Sequence, residues 1–315
     1  MAEFLLDFEK PIVELERRIQ ELRGLEGVET EISKLQKQVD RLRRKVYSRL
    51  TRWQIVQLAR HPQRPQTLDL IPYLFTDFTE LHGDRCFRDD EALVAGIARF
   101  RGRSVVVIGH QMGHDTKERT RRNFAQPYPE GYRKALRIFK LAERFNMPVI
   151  NLVDTQGAYC GIGAEERGQS EAIAHNLQEL SLLRTPIIVV VTGQGGSGGA
   201  IAIGMGDRMY MLEYSYYSVI SPEGCASILW RDKAEASKAA EVLKFTSKDL
   251  LNLGIIDGII NEPPGGAHRD WQLAAKLIEE KVSEALGELE ELSIEDLVNK
   301  RLEKFRAMGE YKDSS

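Results

Sequence analysis

The sequence predicts an α/β fold: a buried, largely parallel sheet flanked by helices and preceded by a helical arm. Three observations carry this reading. First, the strand-like segments are apolar throughout, as in "PVINLVD" (148–154) and "PIIVVVT" (186–192). That is the pattern of strands covered on both faces. Second, strand-like and helix-like segments alternate from about residue 92 onward, as crossover connections require. Third, residues 1 to about 60 are highly charged, with apolar residues at helical spacing.

In the arm, Leu15, Ile19 and Leu22 form one short stripe. After "GLEG" (24–27) the spacing resumes as Ile32, Leu35, Val39, Leu42 and Val46, in alternating steps of three and four. Such a narrow seam suits either an antiparallel hairpin or contact with a partner. The proline-punctuated link "ARHPQRPQTLDLIPYLF" (59–75) leads into the main domain, so the expected division is 1–60 and 61–315. "ALVAGIARF" (92–100) and "SVVVIGHQ" (104–111), joined by "RG", read as a β-hairpin. Helices are expected over 129–145, with Pro129 in the first turn, and over 165–183. Strand 186–192 leads into a short helix over 198–206. Short strands follow at 208–213 and 217–221, helices within 222–253, a strand at 254–260, and helices over 269–286 and 293–308.

Composition excludes several functions. The chain has 315 residues, 42% hydrophobic and 29% charged, with a net charge of −3. That balance offers no bulk attraction to nucleic acid or to a membrane surface. No apolar run reaches the ~18–20 residues of a membrane span, and the opening "MAEFLLDFEK" lacks a signal peptide's core. Cys86, Cys160 and Cys225 are far apart, so neither a disulfide framework nor a self-contained zinc site is expected. A cytoplasmic protein is expected. His110 and His114 are four apart, but the first ends a strand, so they make no helical metal pair.

Two glycine-rich segments stand where ligands gather in such folds, beyond the carboxyl ends of strands. They are "DTQGAYCGIGAEE" (154–166) and "TGQGGSGGA" (192–200). Each leads from a strand into a helix, so backbone N–H groups at a helix N-terminus are left to hold a negative oxygen. Glu165 and Glu166 sit where they favour the helix dipole. Ser221 and Pro222 read as the cap and first residue of another helix, which accounts for Glu223. No Lys follows the second cluster as a P-loop requires, and "GIGAEE" lacks the third glycine of a dinucleotide fingerprint. A hydrolase remains open: Gly195–Gly199 spells GxSxG, and Ser197, Asp257 and His268 occur in the chain order of that fold's triad. The five glycines around one serine instead suit a segment whose peptide groups do the chemistry.

At this point a family resemblance becomes specific. "LDFEKPI", "QLARHPQRP", "GHQMGHDTKERTRRNF", "PEGYRKALR", "DTQGAYCGIGAEERGQSEAIA", "GQGGSGGAIAIGMGD" and "YSVISPEGCASILW" resemble the carboxyltransferase alpha subunits of bacterial-type acetyl-CoA carboxylase, over nearly the whole chain. The resemblance implies a crotonase-like spiral of ββα units. It implies transfer of CO2 from carboxybiotin, held on a separate biotin carrier protein, to acetyl-CoA, giving malonyl-CoA for fatty acid synthesis. It also implies a beta subunit bearing a four-cysteine zinc ribbon, an α2β2 arrangement, and an ATP-dependent complex with biotin carboxylase. The peptide N–H groups of Gly198 and Gly199 are the implied oxyanion donors, facing biotin, and Gly157 and Ala158 are the matching donors of the first loop. In the family's usual scheme the ureido anion takes the methyl proton. The family usually carries prolines where this chain has Gln156 and Cys160. The basic run around Lys117, Arg119, Arg121 and Arg122, extended by Arg133 and Lys134, is either a solvated face or a patch for CoA phosphates or the carrier protein.

Overall fold

A computed structural model describes residues 4–25 and 27–309. The first three residues of the opening stretch, Glu26 in the arm's turn, and the last six residues of the second expected domain lie outside them. The arm forms α1 (Lys10–Leu22) and α2 (Glu29–Tyr47). They pack on each other along the two stripes, burying Ile12, Ile19, Leu35, Val39 and Tyr47. The apolar periodicity alone fixes which faces meet. α3 (Arg52–Ala59) starts at Thr51, which accepts the Gln54 N–H. Its Val56 and Ala59 pack against Tyr216, Ala240 and Phe245 of the body. α4 (Thr67–Leu74) follows.

The body is one eight-stranded sheet with helices on both faces. β1 (Thr76–Glu80), β2 (Leu93–Phe100) and β3 (Arg103–His110) form an antiparallel meander. After α5 (Thr116–Arg121) and α6 (Pro129–Arg144), β4 (Val149–Thr155) joins β3 in parallel. α7 (Ile162–Glu165) and α8 (Gln169–Leu182) return the chain to β5 (Ile187–Gly196), parallel to β4. α9 (Ser197–Gly204), β6 (Arg208–Leu212), β7 (Tyr216–Ser218), α10 (Pro222–Trp230), α11 (Ala236–Leu243), α12 (Ser247–Asn252) and β8 (Gly258–Ile260) follow. α13 (Trp271–Glu290) and α14 (Ile294–Arg306) end the described fold. The strand order is β1-β2-β3-β4-β5-β6-β8, with β7 pairing off the path onto the end of β5.

Two apolar cores flank the sheet. On one face α4 and α13 cover residues such as Val107, Ile150, Leu152 and Val190; on the other α6, α8 and α9 cover Val106, Ile108, Val153 and Val189. Alternate residues of one strand serve opposite cores, so the central strands are apolar on both faces, with the buried Asn151 of β4 donating to the Ile203 carbonyl.

The helix expected over 165–183 begins only at Gln169, and Glu165 instead closes the short α7. Gly168 adopts φ 80°, a left-handed conformation that interrupts the ladder between α7 and α8. The strand expected over 186–192 continues through the glycines to Gly196. The one expected over 254–260 is confined to Gly258–Ile260.

Candidate active site

The two glycine segments meet because their strands are neighbours. β4 and β5 run in register from Val149↔Ile187 to Val153↔Val191. Then the step from Val153 to Thr155 is matched by the longer step from Val191 to Gly195. This bulge bends β5 away from the sheet. Its last three residues, Gln194–Gly196, pair with Tyr216–Ser218 of β7, and α9 begins at the next residue. A cleft of about 670 Å3 opens there. Gln156–Cys160 line one side, Ser197 and Gly198 another, and Val219–Ser221 a third, with Arg60 and Glu223 also in the wall.

Glycine is needed where the two segments touch. A Cβ on Gly196 would lie 2.1 Å from the Gln156 carbonyl oxygen. One on Gly199 would lie 2.5 Å from the Gly157 carbonyl carbon and 2.6 Å from the Ala158 nitrogen. Backbone therefore packs directly on backbone, which no other residue type permits.

α9 has no side-chain cap at Gly196. The N–H groups of its first turn, Ser197, Gly198 and Gly199, have no acceptor within the helix by its geometry. They carry the positive end of the helix dipole. The Ala158 N–H, beside Gly199, makes no hydrogen bond to backbone among the described residues. The Gly157 N–H is turned inward and donates to Thr155 Oγ1 at 3.0 Å. The arrangement can therefore hold a negatively charged oxygen between two chain segments.

The surrounding polar groups fix these backbones. Asp154 Oδ1 accepts the Gln194 N–H at 2.8 Å. Burial pushes the Asp154 carboxyl up to about 6, against the stabilising effects of that bond and of Arg64. Arg64, fully buried, donates from Nε to the Thr192 carbonyl at 2.6 Å and pairs with Glu262 at 2.5 and 2.9 Å. Arg60 donates to Gln194 Oε1 at 3.0 Å and to Glu223 at 2.6 and 3.2 Å. Burial disfavours its charge, but Glu223 and Tyr216 outweigh that and raise its pKa. Ser221 caps α10 by accepting the Gly224 N–H at 3.1 Å, with Pro222 opening the helix.

Comparison with known proteins decides the family. Residues 5–309 match the family described as acetyl co-enzyme A carboxylase carboxyltransferase-like. The acetyl-coenzyme A carboxylase carboxyl transferase subunit alpha of Geobacter metallireducens is 57% identical over 314 residues, covering 98% of this chain and 99% of that one. The subunit of the same name from Azoarcus sp. is 54% identical over 318 residues, covering 99% of each. The chain belongs to the carboxyltransferase alpha-subunit family of acetyl-CoA carboxylase.

Solved structures agree on the fold. A transcarboxylase 12S crystal structure superimposes with a TM-score of 0.53 at 22% identity, covering 66% of this chain and 40% of that one. A Pseudomonas malonate decarboxylase hetero-tetramer in complex with coenzyme A gives 0.55 at 16%, covering 67% and 84%. The fold is the crotonase-like one shared with these structures, and the alpha-subunit family works in multi-subunit, biotin-dependent carboxylation.

Within this family frame, the structure brings Gly198, Gly199 and Ala158 together. Gly198 lines the cleft, while Gly199 is buried beneath it against the Gly157–Ala158 peptide. Gly157 departs from expectation as a donor because Thr155 takes its N–H. The basic residues do not line the cleft. Arg122 is buried and donates to Glu118 and to the Glu91 carbonyl, each at 2.8 Å. Arg133 is held by Asp84 at 2.9 Å, Glu130 at 3.2 Å and the Arg167 carbonyl at 3.1 Å. Their guanidinium groups are thus bonded inside the fold, away from the cleft. Arg121 lies 3.3 Å from Glu91, and Lys117 is exposed on α5 without an ion-pair partner among the described residues.

The hydrolase reading is overturned. The family match excludes it, and so does geometry: Ser197 lines the cleft but His268 does not. His268 lies beside Glu9 of the arm at 3.4 Å, its ring stacked on His61 at 4.0 Å. Asp257 pairs with Lys304. Glu9, His61 and His268 come within ligand range of one another. However, rings stacked with 25° between their planes cannot both aim in-plane lone pairs at one ion.

Sequence reasoning missed Arg60, Gln194 and Arg64 as supports of the site. Their motifs, "QLARHPQRP" and "GQGGSGG", were visible. Nothing in linear spacing says that a residue before the main domain reaches the end of β5.

Proposed function

We propose that the first turn of α9, with the Ala158 N–H beside it, holds the negative oxygen that forms when carboxybiotin is discharged. The observation that supports this most directly is the uncapped α9 terminus packed backbone-to-backbone on the Gly157–Ala158 peptide. Preorganised peptide donors cost no rearrangement when charge develops, and they favour the charged state over the neutral one. When bound, carboxybiotin would supply CO2 for the methyl carbon of acetyl-CoA, and the methyl proton lost in forming malonyl-CoA would pass to the discharged ureido group. This chain binds and orients, and it stabilises charge through peptide N–H groups rather than through a side-chain nucleophile. The Ser197 hydroxyl makes no hydrogen bond among the described residues and is given no chemical role.

The cleft is open on one side, and we assign that side to a zinc-ribbon beta subunit in an α2β2 assembly. Three cysteines in the whole chain cannot make a four-cysteine ribbon, so the zinc belongs with that partner. Biotin arrives on its carrier protein after loading by biotin carboxylase. The arm of residues 1–60 serves as a subunit contact. With Arg122 and Arg133 committed internally, Lys117 and Arg121 are the cations left for CoA phosphates or the carrier. The test is the reverse reaction, malonyl-CoA plus biocytin to acetyl-CoA, run with this chain alone and with the beta partner. Activity only with the partner is expected. A stable complex without activity, when the same partner works with another alpha chain, overturns the reading.

A further inference from the structure

His110 ends β3 and is fully buried, yet the chemistry above does not use it. Its Nδ1 accepts the Asp154 N–H at 3.4 Å. An acceptor Nδ1 on a neutral ring places the proton on Nε2. That Nε2 is buried and makes no hydrogen bond. The carbonyl groups of Leu152 and Gly199 lie beside the ring and favour a proton there, but burial dominates and lowers the pKa to about 3. The imidazole therefore stays neutral throughout the working pH range.

One side chain thus lies among three segments: the end of β3, the end of β4, and the first turn of α9. It does so beneath the point where Gly199 packs on the Gly157–Ala158 peptide. A buried donor without a partner is costly, and the Nδ1 acceptor for the Asp154 N–H accounts for only one of the two ring nitrogens. The imidazole is explained if Nε2–H reaches the Gly199 carbonyl once negative charge loads the N–H groups of α9. We propose that His110 is a positioning residue: its Nε2–H anchors the Gly199 carbonyl and so fixes the height of the α9 donors in the cleft. The inference rests on the reading that α9 holds the negative oxygen. Misplacing a catalytic group by about 1 Å can cost on the order of 10²-fold in rate, so a modest tether suffices.

The test uses the complete alpha–beta complex in the malonyl-CoA and biocytin reaction. His110→Phe keeps the shape and loses both the donor and the acceptor of the Asp154 N–H; His110→Gln keeps an N–H of similar reach. For His110→Phe, kcat is expected to fall roughly 10- to 100-fold, with KM for both substrates within about twofold and a melting temperature lowered only by loss of the acceptor for the Asp154 N–H. His110→Gln should recover most of the loss. The pH profile should keep its wild-type shape in both, because a neutral tether does not titrate. Imidazole 15N NMR on the wild-type chain reads the tautomer directly, even if a variant fails to fold. An Nδ1–H tautomer, a wild-type kcat in His110→Phe, or equal losses in the two variants overturns the inference. An inactive wild-type complex would instead defeat the parent reading, leaving the tautomer measurement to judge His110.

Discussion

The contact between Gly199 and the first loop makes the sharpest prediction. Replacing Gly199 with Ala adds a Cβ 2.5 Å from the Gly157 carbonyl carbon, 2.6 Å from the Ala158 nitrogen and 2.9 Å from the Gly157 Cα, where ordinary contact begins near 3.4 Å. All three atoms are backbone, so no rotamer relieves the overlap. The two segments must separate by roughly 1 Å, carrying the Ala158 N–H away from the α9 donors. Losing one such donor costs about 3–4 kcal/mol, or 10²–10³ in kcat. Gly199→Ala is therefore expected to lower kcat of the malonyl-CoA and biocytin reaction by about 10²-fold, and Gly199→Val by more. Gly198→Ala is the comparison. Its Cβ would meet only Ile173 Cδ1, at 3.3 Å, the end of a side chain that can turn. It keeps the N–H and should lose less than about tenfold. Melting temperature and beta-subunit binding, measured alongside, separate misplacement from unfolding. A Gly199→Ala complex with wild-type kcat, or equal losses in the two alanine variants, would refute the reasoning.

Three further predictions follow from the surrounding groups. Ser197→Ala should change kcat by less than about threefold, against the ~10⁶-fold loss expected of a hydrolase nucleophile, and a kinetic assay decides between them. The folded Asp154 carboxyl titrates at about 6 rather than 3.8 because it is buried; a raised carboxyl pKa contributes stability below pH ~4 that is lost as pH rises through ~6. Asp154→Asn should therefore gain stability relative to wild type between pH 4 and 7, by up to about 3 kcal/mol, and a pH-independent difference in denaturant titrations would contradict this. Arg64→Met strands the buried Glu262 charge, so unfolding free energy should drop by about 3–5 kcal/mol, with partial recovery on adding Glu262→Gln; equal stability of wild type and single variant would show the pair to be dispensable.

The sequence alone makes the strands and the faces of the helices legible. Apolar runs such as Val149–Val153 and the stripe through Leu35 and Val39 carry their periodicity locally, and burial follows from it. It also pointed to both glycine segments and, through family resemblance, to carboxyl transfer. It misread Gly193–Gly196 as a loop, because glycine is a turn residue until a neighbouring strand is known. Those residues extend β5, and Gly196 is needed for its distance from the Gln156 carbonyl. The sequence could not separate charges that serve the fold from charges that serve a ligand. Arg122 and Arg133 stand in the same basic run as Lys117, and only packing turns them inward onto Glu118, Asp84 and Glu130. Likewise Ser197, Asp257 and His268 kept a triad's order while His268 was drawn to Glu9 and His61. Chain order is a one-dimensional property. Which donor faces an open cleft and which is already bonded depends on contacts between distant segments, which no local pattern carries.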